Sequence, residues 1–183
     1  MVKRALCVGC NYPQRTLGLA GAVNDAFLLA ECVTKHHGFD GDNVRILHDV
    51  EPGPYFSEVR RVHDAEKLPT RTNILRQLQW LTRDTRAGDV LFFSFSGLGL
   101  LVGDLDGHPG DGFDEAILPA DPADATASSP KSVILASDLH DIVLGIPEGG
   151  VAHLRPASLG PRRHAGPAAA GAASGAAAGC RLA

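Results

Sequence analysis

Apolar residues along this chain fall into short continuous runs separated by stretches with helical spacing. Lys3 to Gly9 (KRALCVG) is too continuous for a half-exposed strand and ends at Gly9 and the turn-prone Asn11-Tyr12-Pro13, which predicts a strand buried on both faces. From about Val23 to His36 the apolar positions Val23, Phe27, Ala30 and Val33 recur three to four residues apart, with Asn24 and Asp25 at the positive end and Gly38 as the stop. That spacing predicts a helix. Val44 to Leu47 reads as a second strand, so the chain opens with a strand, helix, strand unit.

His48 to Pro69 has no period and contains Pro52, Gly53 and Pro54, which predicts a surface excursion. Thr70 or Thr72 then caps a helix whose stripe is Ile74, Leu78 and Leu81, widened by Leu75 and Trp80. Asp89 to Phe95 (DVLFFSF) is the strongest strand signal and belongs at the centre of a helix-covered sheet. A Gly/Asp-rich loop is expected over 96–112, followed by apolar runs at Ala116 to Pro119 and Ser132 to Leu135, and by a short helix capped by Ser137 with Leu139, Ile142 and Val143 inward. Together these segments predict an α/β domain with a mostly parallel sheet and crossover helices.

The pattern changes near residue 151. From Arg155 the sequence is mostly Ala, Gly, Pro and Arg, with little to bury, so residues 1–151 form the expected domain and 152–183 the expected disordered tail. So abrupt a shift also fits an altered reading frame. Overall the 183 residues are 44% hydrophobic and 21% charged, as in an ordinary globular domain. The four arginines beyond residue 150 leave the first 150 residues with 13 basic and 21 acidic side chains, a net −8. A body this acidic repels phosphate backbones and argues against a nucleic-acid partner. No apolar stretch approaches the length of a membrane span, and a reducing, cytosolic setting is expected. Cys7 and Cys10 form a C-x-x-C, but Cys7 lies inside a strand and neither Cys32 nor Cys180 makes a second close pair, so the thiols are expected to be buried rather than metal-bound.

Several segments, taken in order, carry a family resemblance: RALCVGCNY, LAGAVNDA, GFDGDNVRILHD, PTRTNILRQLQWL, AGDVLFFSFSG, DGFDEAILPAD and SDLHDIV. The series resembles metacaspases, cysteine peptidases related to caspases, from about residue 3 to about residue 151. The resemblance implies a caspase-like three-layer α/β/α sandwich. It also implies a Cys–His dyad, in which the histidine takes the thiol proton and later protonates the leaving amine. In the family that histidine lies in an S-G-H-G turn after the third strand, whereas this chain has Ser96-Gly97-Leu98-Gly99. Leu98 carries no proton, and His108 is ten residues away in the loop. The family's cysteine follows a fourth strand in a D-x-C-H-S-G motif, where this chain reads AHLRPASLGPRRHAG; Cys180 comes far too late. The fourth strand is therefore expected to be missing, leaving one edge of the third strand bare and inviting aggregation or pairing.

Part of the substrate apparatus is retained in sequence. Family members hold a basic P1 residue with acidic groups, one of which matches Asp25, and Ser96 matches a cleft position. The acids Asp104, Asp106, Asp111, Asp114, Glu115 and Asp121 do not fit an EF-hand loop. Of the family's calcium ligands Asp114 alone is matched, the D-D pair being Ala136-Ser137 before Asp138. No cofactor is expected, and calcium only weakly. The resemblance thus implies a metacaspase homologue without peptidase activity, whose partners are basic peptides or another metacaspase-like chain. The alternative, an unrelated α/β ligand-binding module, lacks both G-x-G-x-x-G and a P-loop.

Overall fold

A computed structural model describes residues 1–15, 18–53, 61–103, 113–121, 132–147 and 151–163, with side chains in the last stretch only at 152 and 153. The strands are β1 (Lys3–Gly9), β2 (Val44–His48), β3 (Val90–Gly103), β4 (Phe113–Ile117), β5 (Ile134–Leu135) and β6 (Val151–Arg163). The helices are α1 (Ala22–His37), α2 (Arg71–Thr82) and α3 (Ala136–Leu144). The described strands form one six-stranded sheet in the order β2-β1-β3-β4-β5, with β6 also paired to β3. β1 runs parallel to β2 and β3, and β6 parallel to β3, while β4 is antiparallel to both β3 and β5.

Strand alternation sorts the core into two layers. Leu6 and Val8 of β1 and Leu91, Phe93 and Phe95 of β3 face α2, whose Ile74, Leu78 and Leu81 are buried against them, with Leu139 and Ile142 of α3 packed alongside. Ala5, Cys7 and Phe92 face the other way, onto Ala26, Ala30 and Val33 of α1. The small residues on that side let α1 approach closely. A Cβ on Gly9 would stand 2.6 Å from Val23 Cα, so the end of β1 admits only glycine. This is the three-layer α/β/α sandwich expected of the sequence. Thr70 caps α2 by accepting the Asn73 N–H at 3.2 Å. No described helix is long and apolar enough to cross a membrane.

Four expectations change. β3 does not end at Phe95: it runs to Gly103, because Leu98, Leu100 and Val102 are all buried and Gly99–Gly103 pairs with β4. Asp89 precedes the strand and instead accepts the N–H groups of Val2 and Arg86. α3 starts one residue before Ser137, with the Asp138 carboxylate accepting the Leu135 N–H at 3.2 Å. Lastly, Val151–Arg163 is a strand along β3, not the beginning of a tail, so a fourth parallel strand exists and the edge of β3 is covered. A ladder is made of backbone N–H and C=O groups, so a segment poor in large apolar residues can still form one. Residues 164–183, where the rest of the expected tail lies, fall outside the described residues.

Candidate functional site

The carboxyl ends of β1, β2 and the first half of β3 meet at one rim, where an open α/β sheet places its working groups. β1 leads into Cys10, whose N–H donates to Ser96 O at 2.9 Å and so continues the β1–β3 ladder by one step. Asn11 and Tyr12 follow, and both oxygens of Asp49, just past β2, accept their amides: Asn11 N at 2.9 Å and Tyr12 N at 2.7 Å. Burial raises the Asp49 carboxyl above its ordinary value, opposed by those two N–H groups.

Tyr12 has a φ of 53°, a left-handed conformation unusual for an aromatic residue. Three hydrogen bonds hold it there. Besides the bond from its amide, its hydroxyl donates to Leu118 O at 2.6 Å and accepts from Leu98 N–H at 2.9 Å. The phenol therefore ties β1's exit to the middle of β3 and to the end of β4. Gly97 makes room for it, since a Cβ there would lie 2.7 Å from the hydroxyl.

Leu98, which occupies the position of the expected histidine, is 7% exposed and packs in the larger core layer. Its amide is held by Tyr12 and its carbonyl accepts from Leu118 N–H at 3.0 Å. Position 98 is thus an interior position in a continuous strand rather than a turn at the rim. His108 lies outside the described residues. His48, at the end of β2, is buried, with Nδ1 2.9 Å from Val50 O and its ring edge-on to Phe27.

The thiols divide by burial. Cys7 and Cys10 are fully buried and Cys32 half-buried, while Cys180 lies outside the described residues. Burial pushes Cys7 up to about 11. Burial, reinforced by the Asp49 carboxylate, pushes Cys10 well above its ordinary value. A thiol held neutral in this way is neither a nucleophile nor a metal ligand at neutral pH.

Ser96 and Asp25 reach the same end of the sheet by different routes. Ser96 pairs with Gly9, and its Oγ is buried without a hydrogen-bond partner. Asp25 lies in the first turn of α1, the helix packed over Gly9, and is exposed, with its carboxyl raised by partial burial. Neither lines the cavity of about 140 Å³ that opens at the rim on the other side of β1, which is lined by Tyr12, Arg15, Asp49, Arg61, Thr70 and Asp121 among others. Sequence reasoning passed over Asp49 and the Tyr12 hydroxyl; the signal for both is a polar residue directly after a buried strand.

Asp114 lies in β4 opposite Val102, while Ala136 and Ser137 open α3. Asp104, Asp106 and Asp111 fall outside the described residues. Among the described residues no three His, Cys, Asp or Glu side chains come together as a metal site.

Comparison with known proteins matches residues 3–154 to the family described as metacaspase, peptidase C14 domain. The chain is 34% identical over 142 residues to Metacaspase-1 of Cryptococcus neoformans, covering 78% of this chain and 27% of that protein. It is 32% identical over 149 residues to Metacaspase-1 of Saccharomyces cerevisiae, covering 81% of this chain and 31% of the yeast protein. This chain thus spans roughly a quarter to a third of the length of those relatives. Among solved structures, protein GSU0716 from Geobacter sulfurreducens superposes with a TM-score of 0.62 at 20% identity, over 86% of this chain and 50% of that one, which supports the fold. With a family match across both core layers, the rim and β4, the chain belongs to the metacaspase family.

Proposed function

We propose that this metacaspase-family chain is catalytically inactive and binds peptides or proteins bearing Arg or Lys without cutting them. The observation that carries this reading is Leu98. Dyad chemistry needs an imidazole at the rim to move a proton to and from the thiol, and this position holds a leucine buried in β3 with both backbone groups bonded. The neighbouring thiol, Cys10, is buried and neutral. Beyond Val151 the sequence offers no D-x-C-H-S-G. With base and nucleophile both gone, no measurable peptidase rate is expected.

Binding does not require the dyad. Asp25 presents an exposed carboxylate at the rim, suited to a bidentate pair with an arginine side chain. The reading needs no cofactor; calcium at Asp114 would be held by one carboxylate and bind weakly. Buried, unpaired thiols suit a reducing cytosol. Family membership sets aside the alternative of an unrelated α/β module. Pairing with another metacaspase-like chain is a second reading, favoured by β6, which among the described residues pairs on one side only, with β3.

Fluorescence anisotropy with labelled arginyl and lysyl peptides, followed by mass spectrometry of the recovered peptide, tests the proposal. Saturable binding, intact peptide and weaker binding by Asp25→Asn are expected. Cleaved peptide contradicts the inactive reading, and no binding contradicts the binding one.

A further inference from the structure

The body of this protein is acidic, yet one face of α2 is basic. Arg76 and Trp80 stand at i and i+4 in α2 and Arg83 is the residue that ends the helix, so the three lie along about 10 Å of its length. Beside them, Arg45 projects from β2, the edge strand, and lies over the Trp80 ring with its guanidinium carbon 3.8 Å from the centroid. One of its nitrogens donates to Gln77 Oε1 at 2.5 Å. A guanidinium held over an indole and tethered at one edge is already ordered.

The positive charge here is only partly compensated. Arg4 is spent on the end of α2, donating to the carbonyls of Leu81 and Arg83. Among the described residues neither Arg4 nor Arg45 pairs with a carboxylate, while Arg76 reaches Glu66 at 3.8 Å and Arg83 its neighbour Asp84 at 3.4 Å, both solvent-exposed pairs. Partial burial, and then repulsion from Arg4, Arg76 and Arg83, lower Arg45 from its ordinary value. Like charges gathered at this density are relieved by an anion.

The geometry points to the Arg45–Arg76–Arg83 stripe as a docking site for a short acidic segment of another protein, with carboxylates spaced to match about 10 Å of helix. Charge complementarity selects the class. A nucleic acid would extend its phosphates past the stripe and against a body carrying −8 over its first 150 residues, whereas a short acidic segment confines its charge to the stripe. The site is independent of the rim and of the peptide-binding reading given above.

Trp80 is the single tryptophan of the chain, so its emission reports on this stripe alone. The full chain is titrated with a short Glu-rich peptide, with the same peptide carrying Gln for Glu, and with a short DNA duplex. The Glu peptide is expected to change Trp80 emission saturably, the Gln peptide not at all. Binding should weaken at least about tenfold toward 1 M salt, where the screening length is about 3 Å. Arg45→Glu should abolish binding, and Arg45→Lys, which keeps the charge but loses the planar stack, should weaken it several-fold. Circular dichroism establishes that each variant is folded; should Arg45→Glu not fold, Arg76→Glu and Arg45→Lys carry the comparison. Equal binding of Glu and Gln peptides, unchanged binding by folded charge-reversed variants, or tighter binding of the duplex at equal salt would each overturn the assignment.

Discussion

The two halves of β3 differ in what surrounds them. Val90 to Ser96 lies between parallel neighbours, β1 and β6, and buries Leu91, Phe93 and Phe95 on one face against α2. Gly97 to Gly103 exchanges β1 for antiparallel β4 and buries Leu98, Leu100 and Val102 in the same core cluster, one residue out of step with the alternation of the first half. The first half is ordinary scaffold. At the second half's start, the family resemblance calls for a histidine at a rim turn, but this chain continues the strand and packs a leucine into the core. On the proposed reading, position 98 serves packing rather than chemistry.

The two halves can be weighed by mutation. Phe95→Ala, at a fully buried site of the first half, should cost about 3–5 kcal/mol in urea unfolding, the usual range for a large core aromatic. Leu98→His should cost about 2–4 kcal/mol, because it empties apolar volume and buries a polar ring, and should create no peptidase activity. A Leu98→His protein as stable as its parent would show position 98 to be a rim position after all.

Cys7, opposite Ser94 in the first half, offers a test by pH. Its thiol titrates at about 11 when folded and near 9.0 when unfolded. Between those values the native state holds a proton that the unfolded chain has lost, so stability falls as pH rises from about 9 to about 11, and the contribution is complete below 9. The loss attributable to Cys7 should be about 2–3 kcal/mol, and comparison with Cys7→Ala, which lacks the thiol, isolates it. The smallest effect is expected at the junction. Tyr12→Phe removes the hydroxyl bonded to Leu98 N–H and Leu118 O and should cost about 1–3 kcal/mol, measured by thermal and urea unfolding.

How well each part could be read follows from the same contrast. β1 and the start of β3 are continuous apolar runs, and α1 and α2 have clear helical spacing, so they were legible to within a residue or so at their ends. The second half of β3 was not, because Gly97 and Gly99 interrupt the run and Leu98, Leu100 and Val102 stand one residue out of step with Leu91, Phe93 and Phe95; Gly97 is there for the Tyr12 hydroxyl, a contact with no signature along the chain. β6 was missed for another reason. Its pairing is made by backbone, and composition carries little information about backbone hydrogen bonds. At the rim, the replacement at 98 was evident from the motif, but the burial of Ser96 and the two amides held by Asp49 depend on strands far apart in sequence.

Hydrolysis of arginyl and lysyl reporter peptides by the purified chain, with and without calcium and with and without a thiol alkylator, tests the central claim most directly. No turnover above buffer is expected under any of these conditions, because position 98 provides no base and the thiol nearest it at the rim, Cys10, is buried and held neutral. Turnover that the alkylator abolishes would contradict it.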